Sequence, residues 1–70
     1  MEEIKDEQLK EFLEWYHWHY RKDTAFEAAI QMSLMGQFHL TVKQTRPLLQ
    51  RCFALGYLQR AGNACARIMV

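Results

Sequence analysis

Residues 40–60 of this 70-residue chain, LTVKQTRPLLQRCFALGYLQR, carry the clearest structural pattern in the sequence. Thr41 stands where a helix N-cap is expected, because its hydroxyl can accept a hydrogen bond from a free backbone N–H group. Gly56 is suited to end the same helix. At about 100° per residue the apolar side chains between them share one face. These are Val42, Thr45, Leu48, Leu49, Cys52, Phe53 and Leu55. The stretch predicts a helix over residues 41–55.

Pro47 lies inside this predicted helix and removes one backbone hydrogen bond. The helix either bends there, or residues 41–45 form a separate turn. The apolar spacing continues through Pro47 without a change of phase, which favours a bend.

Alternating residues follow Gly56 and predict a β-hairpin. The expected strands cover about 57–61 and 64–69, and Gly62-Asn63 between them fits a two-residue type II′ turn. In the second strand, Arg67 points outward. The residues expected to face the core are Ala66, Ile68 and Val70.

Two further helices are predicted before residue 40. The first covers about 6–21, beginning at Asp6. Its core face consists of Leu9, Phe12, Leu13, Tyr16 and Tyr20. The second covers about 24–35, with Asp23 or Thr24 as N-cap, Glu27 as reciprocal partner and Gly36 after its end. Residues 37–40 are expected to form an extended connection or a brief strand.

Together these elements predict one domain over residues 1–70. Its fold class is α+β, mostly α: three helices followed by a C-terminal two-stranded β-hairpin. A core of this size supplies little stability alone, which makes a dimer plausible.

The charges of the chain are segregated along the sequence. All eight acidic residues occur within the first 27 positions, and the basic residues Lys43, Arg46, Arg51, Arg60 and Arg67 follow them. The formal net charge of +1 therefore hides a purely basic second half. A polyanion responds to that local field, so the pattern favours nucleic-acid binding.

The run from Leu40 to Arg60 resembles the recognition helix and first wing strand of winged helix-turn-helix transcription regulators. The matching residues are Thr41, Leu48, Leu49, Cys52, Gly56, Tyr57, Leu58 and Arg60. The chain departs from the family pattern at Pro47, in a long turn from Gly36 to Thr41, and in lacking an evident first sheet strand. The resemblance implies sequence-specific binding of double-stranded DNA by a small regulator of the kind that phages and plasmids encode.

In that arrangement the third helix enters the major groove, and the hairpin contacts the neighbouring backbone or minor groove. Thr41 caps the helix. Gln44, Gln50 and Arg46 are candidates for contacts to bases, and Lys43 and Arg51 for contacts to phosphates. The hairpin candidates are Arg60, Asn63 and Arg67.

The first helix carries more aromatic surface than one small core needs. Trp15, His17 and Trp18 lie away from its core face, so either this helix packs more deeply than predicted or it forms an interface. We expect a homodimer, or a protein partner, at this surface.

Other functions find little support. The three His and two Cys lack tight metal-ligand spacing, and Ser33, the only Ser, lies on a face expected to be buried. We expect no enzyme activity, cofactor or metal, and two reduced, buried thiols. No apolar run suits a bilayer and the N-terminus is acidic, so a cytoplasmic protein is expected. The alternative to a DNA-binding regulator is a protein-interaction module, such as an inhibitor of a host defence complex, that uses the first helix.

Overall fold

The computed structural model describes residues 4–70. The helices are α1 (Asp6–Tyr20), α2 (Glu27–Phe38) and α3 (Val42–Ala54), and the strands are β1 (Thr24–Phe26), β2 (Leu58–Arg60) and β3 (Cys65–Ile68). The predicted α+β fold class, mostly α, is confirmed. The sheet is antiparallel in the order β1-β3-β2, so it contains one strand more than the predicted hairpin.

Helix α1 supplies the largest part of the core. Leu9, Phe12, Leu13 and Tyr16 are buried as the helical periodicity predicted. Tyr20, predicted on the same face, is 48% exposed, because the helix ends there and Arg21 turns into the left-handed conformation.

Strand β1 replaces the predicted start of the second helix. Ala25 is paired with Ala66 of β3, and the backbone N–H of Glu27 donates to the carbonyl of Ala64 at 2.8 Å. The prediction of an N-cap at Asp23 or Thr24 is therefore wrong. Residues 24–26 pair with the edge of β3 that would otherwise have unpaired backbone N–H and C=O groups. This nonlocal pairing outweighs the local capping signal.

Helix α2 also ends later than predicted. It continues through Gly36 to Phe38, and His39 takes the left-handed conformation that the sequence assigned to Gly36. Phe38 packs against the core with its ring centroid 6.2 Å from that of Phe12. Burial of this side chain holds the last turn in place, so the predicted extended segment over 37–40 is wrong.

Helix α3 begins as predicted. Thr41 is its N-cap, and its side chain and that of Gln44 bond reciprocally to each other's backbone N–H groups. The helix continues through Pro47, so the separate turn over residues 41–45 is wrong. Val42 and Leu55, predicted on the core face, are 46% and 41% exposed because they lie at the ends of the helix.

A hydrogen bond between side chains fixes α3 against α2. Thr45 is fully buried, and its hydroxyl accepts from Gln31 Nε2 at 3.0 Å while donating to the carbonyl of Val42 at 2.9 Å. This buried hydroxyl has both its donor and its acceptor role satisfied, and losing either bond would cost stability. The bond to Gln31 therefore fixes the N-terminal half of α3 against α2.

The hairpin turn differs from the prediction by one residue. Arg60 pairs with Ala66, and the N–H of Ala61 donates to the carbonyl of Cys65, which leaves Gly62, Asn63 and Ala64 in the turn. The two-residue turn is wrong because the Ala64 carbonyl accepts a hydrogen bond from the N–H of Glu27 at the start of α2. Ala64 adopts φ 57°, an uncommon conformation for a residue with a side chain.

The hairpin's faces are as predicted for the buried residues. Ala66 and Ile68 are buried, Val70 is half-buried and Arg67 is exposed.

The two cysteines are free thiols in different surroundings. Cys52 is buried in the core, whereas Cys65 is only half-buried, so the prediction of two buried thiols is correct for Cys52 alone. Burial raises the pKa of Cys52 from its ordinary value of 9.0 to about 11. Across residues 4–70, none of the helices combines the length and the apolar character that crossing a bilayer requires.

Candidate nucleic-acid interface

The outer face of α3 is polar and exposed. Lys43 and Gln50 lie roughly opposite the buried Thr45 and Cys52 by helical rotation, and Arg46 lies one turn before Gln50. All three polar side chains are exposed, as the sequence predicted. They form a ridge about two turns long that can reach into a groove.

Two of the predicted contact residues have a structural role at the start of this ridge. Gln44 Oε1 accepts a hydrogen bond of 2.9 Å from the backbone N–H of Thr41, and Thr41 Oγ1 accepts one of 3.3 Å from the N–H of Gln44. The amide oxygen of Gln44 is thus used within the helix cap. Bidentate pairing of Gln44 with adenine requires this bond to break.

Arg51 is engaged within the fold. Its Nε donates to Asp6 Oδ1 at 2.8 Å, and its Nη2 donates to the backbone carbonyl of Ile4. The side chain is about one third exposed, and both bonds hold it against the start of α1. Arg51 therefore joins α3 to α1, a role that the sequence did not predict.

Arg60 connects the hairpin to the helices. Its guanidinium carbon lies 4.8 Å above the ring centroid of Phe53 on α3, and its Nη1 lies 3.1 Å from Glu27 Oε1. The Arg60 side chain remains 73% exposed. A guanidinium that stacks on a ring can still donate hydrogen bonds from its N–H groups. Stacking therefore fixes Arg60 beside α3 and leaves some of its donors free to bind.

Arg67 occupies the middle of the outer sheet face. It is paired with Thr24 on one side and Gln59 on the other, and all three residues are exposed. Gln59 was not among the predicted site residues. The alternation of side chains along the strand could have indicated its exposure, since the preceding residue Leu58 faces inward. Asn63, at the tip of the turn, is also exposed.

The fold therefore cancels part of the charge segregation of the sequence. Arg51 and Arg60 each face a carboxylate from the acidic half, at Asp6 and Glu27. Among residues 4–70, no ion pair involves the remaining basic side chains of the second half. These three are Lys43, Arg46 and Arg67. The available positive charge is smaller than the sequence suggested and is divided between α3 and the sheet.

A second exposed surface lies on α1. Trp18 is 76% exposed and Trp15 is 46% exposed, so deeper packing of this helix does not occur. Trp15 stacks on His19 with 5.0 Å between ring centroids. Trp18 lies away from the core, as the sequence predicted, and Trp15 lies at its edge with its ring centroid 6.2 Å from that of the buried Phe12.

His17 ties this surface to the end of the sheet. Its Nδ1 lies 3.4 Å from the backbone oxygen of Val70, and its Nε2 lies 3.1 Å from Asp23 Oδ1. An open groove of about 480 Å³ lies here, bounded by Glu14, His17, Trp18, Arg21 and Val70. The predicted interface residues His17 and Trp18 therefore meet in one groove, and Trp15 lies outside its lining.

Metal-binding geometry is absent from the described part of the chain. Among residues 4–70, His, Cys, Asp and Glu side chains form no group of three that could hold an ion.

Comparison with known proteins gives no match: no protein-family model, curated protein sequence or solved structure is significantly similar to this chain.

Proposed function

We propose that the protein binds double-stranded DNA in a sequence-specific way and acts as a small transcription regulator. The observation that carries this proposal is the exposed ridge of Lys43, Arg46 and Gln50 on α3. It lies in a part of the chain without any carboxylate side chain. An α-helix fits the major groove, where such side chains meet base edges and phosphates.

The arrangement of the elements supports the proposal further. The stacking of Arg60 on Phe53 holds the hairpin beside α3, where its exposed residues could contact DNA next to the groove that α3 enters. Strand β1 supplies a first sheet strand, which the sequence did not reveal. The polar surface that these elements present, and not the fold itself, supports DNA binding.

Each side chain has a role in this proposal. Arg46 and Gln50 are the candidates for base contacts, because Arg pairs with guanine and Gln with adenine through two hydrogen bonds. Lys43 and Arg67 contact phosphates. Arg60 joins them when a phosphate replaces Glu27, which its exposure permits.

The test is a titration of the purified protein into random and genomic duplexes at two salt concentrations. Arg46→Glu with Arg67→Glu is expected to abolish binding, because two phosphate or base contacts become repulsive. Lys10→Glu is a control on an exposed helical site of the acidic half and should bind as the wild type does. Equal binding by all three proteins would contradict the proposal.

A protein-interaction module is the second candidate function, and the exposure of Trp18 favours it. A side chain of this size, 76% exposed beside a groove, is typical of binding surfaces. Under this function, Trp18→Ala abolishes activity and Arg46→Glu with Arg67→Glu leaves it intact. Under the first function, loss of the basic side chains has the larger effect on DNA binding.

A further inference from the structure

The solvent face of α1 carries charged side chains on both sides of Trp18. Trp18 lies about 180° around the helix from the buried Leu9. Three exposed carboxylates precede Trp18 on the helix, and Arg21, the exposed C-cap residue, follows it. The carboxylates are Glu7, Glu11 and Glu14. Lys10 lies one turn before Glu14 on the same side of the helix, and Asp23 Oδ1 lies 3.1 Å from His17 Nε2 beyond the helix end.

The groove beside Trp18 has one acidic and one basic side chain in its lining. Its lining from α1 and the helix cap runs Glu14, His17, Trp18, Arg21, with the acid at one end and the base at the other. Glu14 and Arg21 are about 10 Å apart along the axis and equally distant from the midpoint between His17 and Trp18. A half-turn about that midpoint therefore exchanges the acidic end with the basic end.

We infer that this face binds a second copy of the same chain, with the two α1 helices antiparallel. The two-fold axis passes between His17 and Trp18. Glu14 of one copy then faces Arg21 of the other, twice, and each Trp18 enters the groove of its partner. A symmetric dimer requires such a self-complementary surface.

The charges also determine the direction of pairing. Parallel helices would place Glu14 against Glu14 and Arg21 against Arg21, and like charges in contact are repulsive. The antiparallel arrangement also opposes the two helix dipoles favourably. Because the groove carries one acidic and one basic side chain, it fits a second copy of this chain better than a partner whose surface carries only positive or only negative charge.

This inference does not depend on DNA binding, because the face is on α1 and the proposed DNA contacts are on α3 and the sheet. Its test is sedimentation equilibrium of the full chain without DNA, up to about 0.5 mM protein. We expect a reversible monomer–dimer equilibrium. Trp18→Ala should raise the dimer dissociation constant about tenfold or more, since a central Trp usually dominates an interface.

Charge exchange distinguishes the antiparallel geometry from any other. Glu14→Arg and Arg21→Glu, each alone, should weaken the dimer, because each creates two like-charge contacts. The double variant Glu14→Arg with Arg21→Glu should restore an affinity near that of the wild type. Both positions are exposed, and circular dichroism of each variant confirms its folding.

Mixing the two single variants provides an independent check. A chain with Arg at both positions and a chain with Glu at both should form a heterodimer with each other more tightly than either forms a homodimer. A wild type that stays monomeric at every concentration would overturn the inference. So would a double variant as weak as the single ones, or a dimer that Trp18→Ala leaves unchanged.

Discussion

Arg51 Nε donates a hydrogen bond of 2.8 Å to Asp6 Oδ1, which connects the basic half of the chain to its acidic half. The same guanidinium donates to the backbone carbonyl of Ile4, so Arg51 fixes the start of α1 against α3. A basic residue that the sequence assigns to a phosphate contact is therefore part of the fold's own structure.

Arg51→Ala should lower the free energy of unfolding by about 1 kcal/mol, the order expected for a partly exposed ion pair with an added hydrogen bond. Urea denaturation measures it. A double-mutant cycle with Asp6→Ala should give a coupling of about 0.5 kcal/mol. An unchanged stability together with a large loss of DNA affinity would show that Arg51 acts at the interface instead.

Thr45→Val should cost about 1–2 kcal/mol of stability, because it removes the acceptor for Gln31 and leaves that amide without its partner. The double variant Gln31→Met with Thr45→Val should cost less than the sum of the single variants, since both polar groups are then gone. Urea denaturation of the four proteins tests this. Additive losses would mean that the 3.0 Å contact contributes little.

Gly36→Ala and Gly62→Ala should change stability in opposite directions. Gly36 lies inside α2, and a methyl group added there would meet nothing within 4 Å, so Ala should stabilise the helix by about 0.5–1 kcal/mol. Gly62 has equal space but φ 103°, so Ala should destabilise the turn by about 1 kcal/mol or more. Thermal unfolding measures both. A destabilising Gly36→Ala would instead indicate that α2 ends at Gly36.

Cys52 should make stability decrease at alkaline pH. Its pKa is raised by burial to about 11 in the folded protein, above the ordinary value of 9.0 expected after unfolding. The folded state therefore holds this proton more tightly, and the contribution is complete below pH 9 and is lost as the pH rises towards 11. Urea denaturation between these limits should show a steeper decline for the wild type than for Cys52→Ala. Parallel declines would contradict the assignment.

Local signals in the sequence predicted the parts of the fold whose stability is local. The third helix was predicted well because Thr41, its apolar spacing and Gly56 all agree. Strand β1 was not predicted, because three residues show no periodicity and their partner is Cys65–Ile68, far along the chain. The extra turn residue has the same cause, since the Ala64 carbonyl is held by the N–H of Glu27.

In the candidate site, too, the features set by local sequence could be predicted and those set by distant contacts could not. Exposure of Lys43, Arg46 and Gln50 could be predicted from helical rotation alone. The engagement of Arg51 and Arg60 could not, because their carboxylate partners lie 45 and 33 positions away in the sequence. Only the packing of α1 and α2 against the second half brings these charges together.

The salt dependence of DNA binding gives the sharpest test of the proposed DNA contacts. Two phosphate contacts from each copy, by Lys43 and Arg67, predict that log K falls against log salt with a slope of about −1.8 per bound copy. A slope of about −3.6 would mean that Arg51 and Arg60 leave their carboxylates and contact phosphates as well. Arg46→Glu should remove binding, and Lys10→Glu should retain it. No binding of any duplex at about 50 mM salt, or equal binding by both variants, would contradict DNA binding by α3 and the sheet.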